Sequence, residues 1–414
     1  MRDQRLPSSP GFWRSPLRGP RFTAVLGVVL LAGITVMFVT GLVSYAAYNP
    51  DLASVNDKTP GKGLLGFYLF AWPTDPHWLY RLTQGVHVTL GVTLVPVLLA
   101  KLWSVVPRLF ALPPARSLAH ALERISLLLL VGGALFEFTT GLLNVQLDYI
   151  FPGSFYPLHF YGAWVFFAAF VVHAVLKVPV ALRNLRHRHD EPAAPEENEL
   201  VSPRPDRPTV SRRGALGLVG GASLLLFGTT VGQSLGGPLR RTALLAPHGG
   251  PDPGSGPGGF QVNKTAAYVG IDPAETRDEA WRLVVTGRTG TVRLSRADLL
   301  AMPLHSAALP IACVEGWSTR DQWWRGVRLR DLAALVGHDT DPPDVLVESL
   351  QRHGPFRVAA LRANQVADPR SLLALFANGE PLTPDHGHPA RIIVPAAPGV
   401  LNTKWVARLN FGDL

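Results

Sequence analysis

Five apolar stretches are the feature that most constrains how this chain can fold. Each is long enough to cross a bilayer, which takes about 20 residues, and they run over Phe22–Tyr48, Leu82–Val106, Ile125–Leu143, Phe160–Leu182 and Gly214–Leu235. The alternative is a set of buried helices in a large soluble protein. Four of the five stretches lie in the first 185 residues, however, and only 17% of all residues are charged. The sequence therefore predicts an all-α transmembrane bundle.

The basic residues predict how these spans are oriented. The net charge is +9, and residues 1–213 alone hold 20 Lys and Arg against 13 Asp and Glu. The tail before the first span and the segments that begin at the last residues of the second and fourth spans hold 17 basic residues, counting Lys101 and Lys177, against 3 in the other loops. This asymmetry predicts a cytoplasmic amino terminus. It also favours a bilayer over nucleic acid as the partner of the positive charge.

Three histidines lie within the spans, where ionisable side chains are costly and usually functional. They are His87 in the second span, His159 at the start of the fourth span and His173 toward its end. The last two are 14 residues apart, so they share a helix face and differ by ~21 Å in height. This spacing suits haem ligands inside a four-helix bundle, although packing roles remain open for each histidine.

The four-span pattern and the run HFYGAWVFFAAFVVH resemble membrane cytochrome b subunits of quinone-linked oxidoreductases. The resemblance implies one or two b-type haems and a quinone or quinol partner. His87 and His159 stand at similar height and would hold one haem, while His173 would serve a second, inner haem whose other ligand stays open. Glu137, in the third span, is either a proton-handling group or a hydrogen-bonded residue of the bundle.

Composition divides the chain into segments. We expect a cytoplasmic basic tail over 1–21, a four-helix cytochrome b-like domain over 22–183, a cytoplasmic Pro-rich linker over 184–213, a fifth transmembrane helix over 214–236, a Gly/Pro linker over 237–259 and an extracytoplasmic domain over 260–414. Arg212 and Arg213 precede the fifth span and resemble a twin-arginine export signal. An ordinary membrane anchor is the alternative. The expected location is the bacterial inner membrane.

The outer domain has a different pattern from the spans. Short β-branched runs such as WRLVVTG, DVLVESL and RIIVPA alternate with Gly, Pro and Asp. This pattern predicts an α+β domain that is mostly β, with helices around Leu329–Val336 and Pro369–Ala377.

The chain has one cysteine, Cys313, which excludes disulfides, Cys-ligated iron–sulfur clusters, CxxC zinc sites and covalent c-type haem. A structural role is the usual one for a lone buried cysteine. Cys313 nevertheless begins the run CVEGWSTRDQWW, and a second cluster, PDHGHPARIIVPAAPGVLNTKW, follows NGEPL near the end of the chain. The residues of this second cluster are spaced as in the sulfite oxidase family of molybdenum enzymes, which residues 260–414 resemble.

The resemblance implies a molybdenum–molybdopterin cofactor. Cys313 would be the catalytic metal ligand, since a soft thiolate suits such a metal. The pterin and its phosphate would be held by His386, Arg391, Asn402, Thr403 and Lys404, with Asn263 and Lys264 contributing on the other side.

The chain departs from the family just after the cysteine. Animal and plant sulfite oxidases have Gly-Asn-Arg there, whereas Gly316-Trp317-Ser318 follow here. An aromatic pocket of Trp317, Trp323 and Trp324 would suit a neutral S- or N-oxide at least as well as sulfite.

The sequence thus predicts a membrane-bound molybdenum oxidoreductase. It would transfer an oxygen atom to or from a small sulfur substrate and exchange electrons with quinone through haem b. The alternatives are a non-catalytic membrane protein that binds pterin or a partner, and a transporter-like bundle carrying an outer domain.

Overall fold

The computed structural model describes residues 6–52, 70–110, 117–145, 155–186, 202, 205–247, 258–412 and 414. Most of the predicted linker over 184–213 and residues 248–257 of the Gly/Pro linker lie outside these ranges, as do the first five residues of the basic tail. The described residues belong to two compact units. One consists of residues 1–39, 89–143 and 158–228, and the other of residues 40–88, 144–157 and 229–414.

The predicted apolar stretches form helices. The long helices are α1 (Pro20–Ala46), α2 (Leu79–Leu109), α3 (Leu118–Asn144), α4 (Tyr156–Arg186) and α5 (Arg212–Gly228), and a short α6 (Gly232–Leu235) follows. Among the described residues, five helical segments are long and apolar enough to cross a membrane, with mean hydropathies from 1.6 to 2.5; the fifth runs through α5 and α6. The boundary between the two units falls within α1 and within α2. The last residues of α1, from Thr40 on, and the first residues of α2, up to Val88, belong to the second unit.

The core of the first unit is built from aromatic and aliphatic side chains at helical spacing. Phe22, Leu26, Leu30 and Ile34 lie four residues apart on one face of α1 and are buried. They pack with residues of α2, α3 and α4. This repeat marks the stripe of an otherwise apolar helix that faces its neighbours.

The second unit contains the predicted mostly-β domain. Its strands are β1 (Leu283–Gly287), β2 (Gly290–Leu294), β3 (His305–Leu309), β4 (Gln322–Arg328), β5 (Val345–Ser349), β6 (Val358–Leu361), β7 (Leu372–Ala377), β8 (Glu380–Pro381), β9 (Arg391–Ile393) and β10 (Val406–Phe411). Short helices α7 (Arg296–Ala301), α8 (Leu329–Ala334) and α9 (Ala363–Ala367) connect them.

The described strands form two sheets of five. The first has the order β2-β1-β10-β5-β6, in which only β1 and β10 are parallel. The second has the order β3-β4-β7-β8, and β9 also pairs with β7. The β7–β8 hairpin turns at Asn378 and Gly379, whose φ angles of +52° and +91° match the turn that an Asn-Gly pair favours.

One secondary-structure prediction was wrong. The stretch around Pro369–Ala377 contains β7 rather than a helix. Strand β7 lies at the centre of its sheet and is buried on both faces, so it has no polar alternation and reads as a continuous apolar run. The helix predicted around Leu329–Val336 is confirmed as α8.

Candidate functional site

The first cluster is a tight loop between β3 and β4. The Cys313 amide donates to the Trp317 carbonyl at 2.8 Å, and the Gly316 amide donates to the Cys313 carbonyl at 3.1 Å. Gly316 has a φ of +87°, which a side chain would strain. These contacts form a closed turn that begins at Cys313.

The Cys313 sulfur lies inside the protein with two polar neighbours. Its side chain is 7% exposed. The amide Nδ2 of Asn263 and the carboxyl Oε2 of Glu315 each lie 3.7 Å from Sγ. The indole Nε1 of Trp317 donates to the same Glu315 oxygen at 2.9 Å. Burial, reinforced by the charge of Glu315, raises the pKa of the Cys313 thiol well above its usual value. The thiol is therefore protonated unless a metal displaces the proton.

The second cluster is centred on Arg391 at the start of β9. Its side chain is 5% exposed, with Nη1 donating to the His386 carbonyl at 3.0 Å and Nη2 to the Asn402 carbonyl at 3.1 Å. Within the described residues, Nε of Arg391 and the buried hydroxyl of Thr403 have no hydrogen-bond partner. Burial lowers the pKa of Arg391 to about 9, as expected for a cation held away from water.

Lys404 supplies a second cation beside Arg391. Its Nζ donates to the carbonyls of Lys264 and Asp385, the latter at 2.9 Å. Burial lowers the pKa of Lys404 to about 7. Gly387, with a φ of +108°, lies where a Cβ would come within 3.1 Å of the side-chain stems of Arg391 and Lys404. The glycine therefore permits the close approach of these two stems.

His386 is held by the protein on both ring nitrogens. Nδ1 lies 2.8 Å from the Thr383 hydroxyl, and Nε2 lies 3.1 Å from the Phe260 carbonyl. Burial lowers the pKa of His386 to about 4, so the ring is neutral at pH 7. In this arrangement His386 positions the turn before Arg391 and contributes no charge.

One irregular segment, residues 263 to 266, contacts both clusters. Asn263 reaches the Cys313 sulfur, the carbonyl of Lys264 accepts from Lys404, and the Ala266 amide donates to Oδ1 of Asp385 at 2.9 Å. The structure thus brings the segment from 263 to 266, the cysteine loop and the Arg391–Lys404 cluster into one connected site.

The comparisons with known proteins concern this same region. Residues 270–413 match the family described as "Oxidoreductase molybdopterin binding domain". Residues 270–413 form a molybdopterin-binding oxidoreductase domain. The chain is 33% identical over 132 residues to YuiH of Bacillus subtilis, described as an uncharacterized oxidoreductase, which covers 32% of this chain and 65% of YuiH. It is 31% identical over 158 residues to the mitochondrial sulfite oxidase of Rattus norvegicus, covering 32% of this chain and 29% of that protein.

A solved structure also matches. The crystal structure of the sulfane dehydrogenase SoxCD from Paracoccus pantotrophus aligns with 25% identity and a TM-score of 0.31, over 33% of this chain and 39% of that chain. The chain thus spans 65% of YuiH and 29% of the sulfite oxidase. The match over residues 270–413 and the 31% identity to the rat enzyme make this domain similar to sulfite oxidase.

The described residues fit the cofactor. One buried sulfur is available for a soft metal. The unpartnered Nε of Arg391 and hydroxyl of Thr403 are donors for an anionic group, and Lys404 adds a second cation. The molybdopterin domain would hold molybdenum through Cys313 and the pterin phosphate through the Arg391–Lys404 cluster.

The tryptophans do not form the expected pocket. Trp323 and Trp324 are neighbours on β4, so their side chains point to opposite faces. Trp323 is 54% exposed, whereas Trp324 is fully buried and its Nε1 donates to the Leu309 carbonyl. Arg320 and Arg325 are exposed as well. The close neighbour that the sequence reading missed is Glu315, for which the only signal was a carboxylate two residues after the cysteine.

The histidines predicted as haem ligands lie in the long helices. His87 belongs to the second unit, with Nδ1 3.4 Å from the Thr40 hydroxyl. His159 and His173 belong to the first unit. Nδ1 of His159 lies 3.0 Å from the Thr140 hydroxyl and 3.2 Å from Oε2 of Glu137. The prediction that a haem binds these histidines stays a prediction.

Proposed function

We propose that this chain is a membrane-bound molybdenum oxidoreductase that transfers an oxygen atom to or from a small sulfur substrate. The observation that carries the proposal is the placement of Cys313, whose buried sulfur lies beside Asn263 in a site that also holds the buried Arg391 and the half-buried Lys404. A site that combines one soft ligand with cationic donors suits a metal bound to an anionic organic cofactor.

The net reaction is XO + 2H⁺ + 2e⁻ ⇌ X + H₂O, where X is the substrate without its oxygen. The molybdenum cofactor would supply the site of oxygen transfer and of two-electron exchange. The chain's own residues bind and orient it. Arg391, Lys404 and Thr403 would donate hydrogen bonds to the pterin phosphate, and Asn263, which lies 3.7 Å from the Cys313 sulfur, would position the side chain of that ligand. The Cys313 loop would keep water away from the Cys313 sulfur, because the cysteine is only 7% exposed.

The substrate falls into one of two classes. Sulfite is the substrate named for the related oxidases. Sulfite is an anion, and a cationic side chain near the metal would favour its binding. Here the Glu315 carboxylate lies 3.7 Å from the sulfur, while Arg320 and Arg325 are exposed. This arrangement favours a neutral sulfoxide or another neutral oxide. Turnover of sulfite and of methionine sulfoxide by the purified chain distinguishes the two classes.

Electrons would pass between the molybdenum site and the quinone pool through one or two b-type haems. The support is the set His87, His159 and His173 within apolar helices, together with the glycines that face two of the rings. A Cβ at Gly41 would lie 3.0 Å from Cε1 of His87, and one at Gly141 would lie 3.2 Å from Cε1 of His159. His87 and His159 therefore each lie beside a position without a side chain, which leaves room for a bulky planar group.

The membrane proposal rests on the five apolar helices among the described residues and on the 17-to-3 distribution of basic residues around the spans. We propose the inner membrane, a cytoplasmic amino terminus and an outer catalytic domain, with Arg212 and Arg213 acting as an export signal. A cysteine introduced by Leu414→Cys, at an exposed position, should react with an impermeant maleimide in intact spheroplasts. Reaction only after lysis contradicts the topology.

The central test compares the wild type with Cys313→Ala. We expect the variant to lose bound molybdenum and turnover while its long helices, followed by circular dichroism, remain. A variant that kept both its metal and its turnover would falsify the proposal. Wild type that binds molybdenum without turning over any oxide or sulfite supports a non-catalytic pterin-binding protein instead. Absence of a reduced b-type absorbance band in the purified chain contradicts the haem relay.

A further inference from the structure

The Cys313 loop is held by two segments that lie far away in the sequence. Gln84, near the start of α2, donates from Nε2 to the Val314 carbonyl at 2.5 Å. Ser234, in α6, donates from Oγ to the Gly316 carbonyl at 2.5 Å. All of these residues belong to the second compact unit. The backbone directly after the cysteine is therefore fixed from outside the β domain.

Further hydrogen bonds tie the two segments to the loop and to each other. The Ser318 amide donates to the Gln233 carbonyl and its hydroxyl to the Ser234 carbonyl, both at 2.9 Å. Arg81, in α2, donates to the carbonyls of Ser234 and Leu235 at 2.7 and 2.6 Å. We call Arg81, Gln84 and Ser234 the brace.

Glycines allow the brace to approach the loop closely. A Cβ at Gly316 would lie 2.7 Å from Cβ of Val88, and one at Gly85 would lie 2.8 Å from the Ser234 hydroxyl. Real Cβ atoms do not approach other atoms this closely, so backbone and side chain meet here only because glycine occupies both positions. The contact is thus a packed interface with directional hydrogen bonds.

The brace connects the cysteine loop to the helix that carries His87. Gln84 precedes His87 by three residues, which is ~4.5 Å along a helix. The path from the sulfur runs through the Cys313–Val314 backbone, across the hydrogen bond to Gln84 and along less than one turn of α2. An amide side chain neither titrates nor changes redox state at neutral pH, so Gln84 contributes position and contact only.

We propose that Gln84 is a positioning residue that sets electron exchange between the Cys313 site and a redox group at His87. The inference rests on the proposed function, because it requires a haem on α2. Each oxygen transfer moves two electrons across this contact, one at a time, and no proton or bond of Gln84 takes part. Because transfer between redox centres weakens steeply with separation, a loop that is free to move away from α2 exchanges electrons more slowly.

The test compares Gln84→Leu with Asn364→Leu in the purified full-length chain. Asn364 is the matched control, since its Nδ2 donates to the Trp72 carbonyl at 2.9 Å and it lies outside the cysteine loop. Two turnover rates are measured with the same oxide substrate, one with a quinol analogue and one with a viologen dye that reduces the molybdenum site directly. Stopped-flow absorbance follows reoxidation of the b-type band when substrate is added, and metal analysis gives the molybdenum content.

We expect Gln84→Leu to lower the ratio of quinol to viologen turnover by about twofold to tenfold, the range for loss of one hydrogen bond. Reoxidation of the b-type band should slow by the same factor at unchanged molybdenum content, and Asn364→Leu should change neither. If Gln84→Leu does not fold, Ser234→Ala removes the neighbouring bond to Gly316 and is measured in the same way.

An unchanged ratio in Gln84→Leu overturns the role of Gln84 and leaves the proposed function standing. Loss of molybdenum from Gln84→Leu, with normal molybdenum content in Asn364→Leu, also overturns the role of Gln84 in electron exchange. The brace would then serve to retain the cofactor. A wild-type chain without a b-type band overturns the proposed relay and this inference together.

Discussion

Replacement of Gly387 by alanine tests the assignment of the Arg391–Lys404 cluster most directly. Gly387 lies at a φ of +108°, where L side chains strain the backbone, and its missing Cβ leaves room for two cationic side chains. A Cβ there would lie 3.1 Å from Cβ of Arg391 and from Cβ and Cγ of Lys404. The stems of both residues must therefore shift by a few tenths of an ångström.

The expected loss of stability has two parts, strain of the backbone at a positive φ and crowding of the new Cβ against its neighbours. An unfavourable φ costs about 1–3 kcal/mol, and overpacking typically costs about 1–3 kcal/mol more. Gly379→Ala is the matched control, because Gly379 has a φ of +91° and open space where the Cβ would go. The two variants share the strain and differ in the crowding. We expect Gly387→Ala to unfold at a temperature about 2–12 °C below Gly379→Ala.

The assays are the thermal midpoint of the detergent-solubilised chain and its molybdenum content per protein. We expect Gly379→Ala to keep the wild-type metal content and Gly387→Ala to lose most of it, since displaced Arg391 and Lys404 no longer meet a phosphate. Equal midpoints and equal metal contents in the two variants would refute the reasoning. Gly387 would then be needed only for its positive φ and would have no part in cofactor binding.

Two further predictions concern burial and charge. Trp324→Ala should cost about 3–5 kcal/mol of unfolding free energy, because Trp324 is fully buried, whereas Trp323→Ala, at an exposed position, should leave the denaturation midpoint nearly unchanged; equal losses contradict the opposite-face assignment. The pKa of Lys404 is about 7 in the folded chain against a normal value of 10.5. Between pH 7 and pH 10.5, Lys404 is therefore protonated in the unfolded chain and largely neutral in the folded chain. The cofactor-free chain should therefore gain stability as the pH rises from about 7 to about 10, and Lys404→Met should flatten that rise in denaturant titrations.

The positions of the long helices were predictable from hydropathy, but their ends were not. Helix α2 begins at Leu79 and ends at Leu109, whereas its apolar stretch was placed at Leu82–Val106. Helix α3 begins at Leu118, seven residues before the predicted Ile125. Polar and charged residues such as Arg81 and Arg124 continue these helices beyond the apolar stretch, because the backbone hydrogen bonds of a helix do not depend on side-chain hydropathy.

The site was predictable where neighbours in the sequence carry it and unpredictable where distant segments meet. The cysteine loop and the run from Asp385 to Trp405 each contain local turns. Residues that are close in sequence within each run are therefore also close in the structure. The contacts of Asn263 with Cys313 and of Gln84 with Val314 join residues 50 and 230 positions apart. No local pattern specifies such pairs, and only the packed structure shows that α2 reaches the loop.

The electrostatics of the site link its cofactor to its stability. Arg391 and Lys404 both have lowered pKa values because burial removes water from their charges, and such burial opposes folding unless an anion compensates. The thiol of Cys313 has a raised pKa and stays neutral until a metal binds. The protein therefore holds its cations ready for an anion and its sulfur ready for a metal. Since a ligand that binds only the folded state stabilises it, a cofactor that supplied both an anion and a metal would compensate the buried charges and raise the stability of the folded chain.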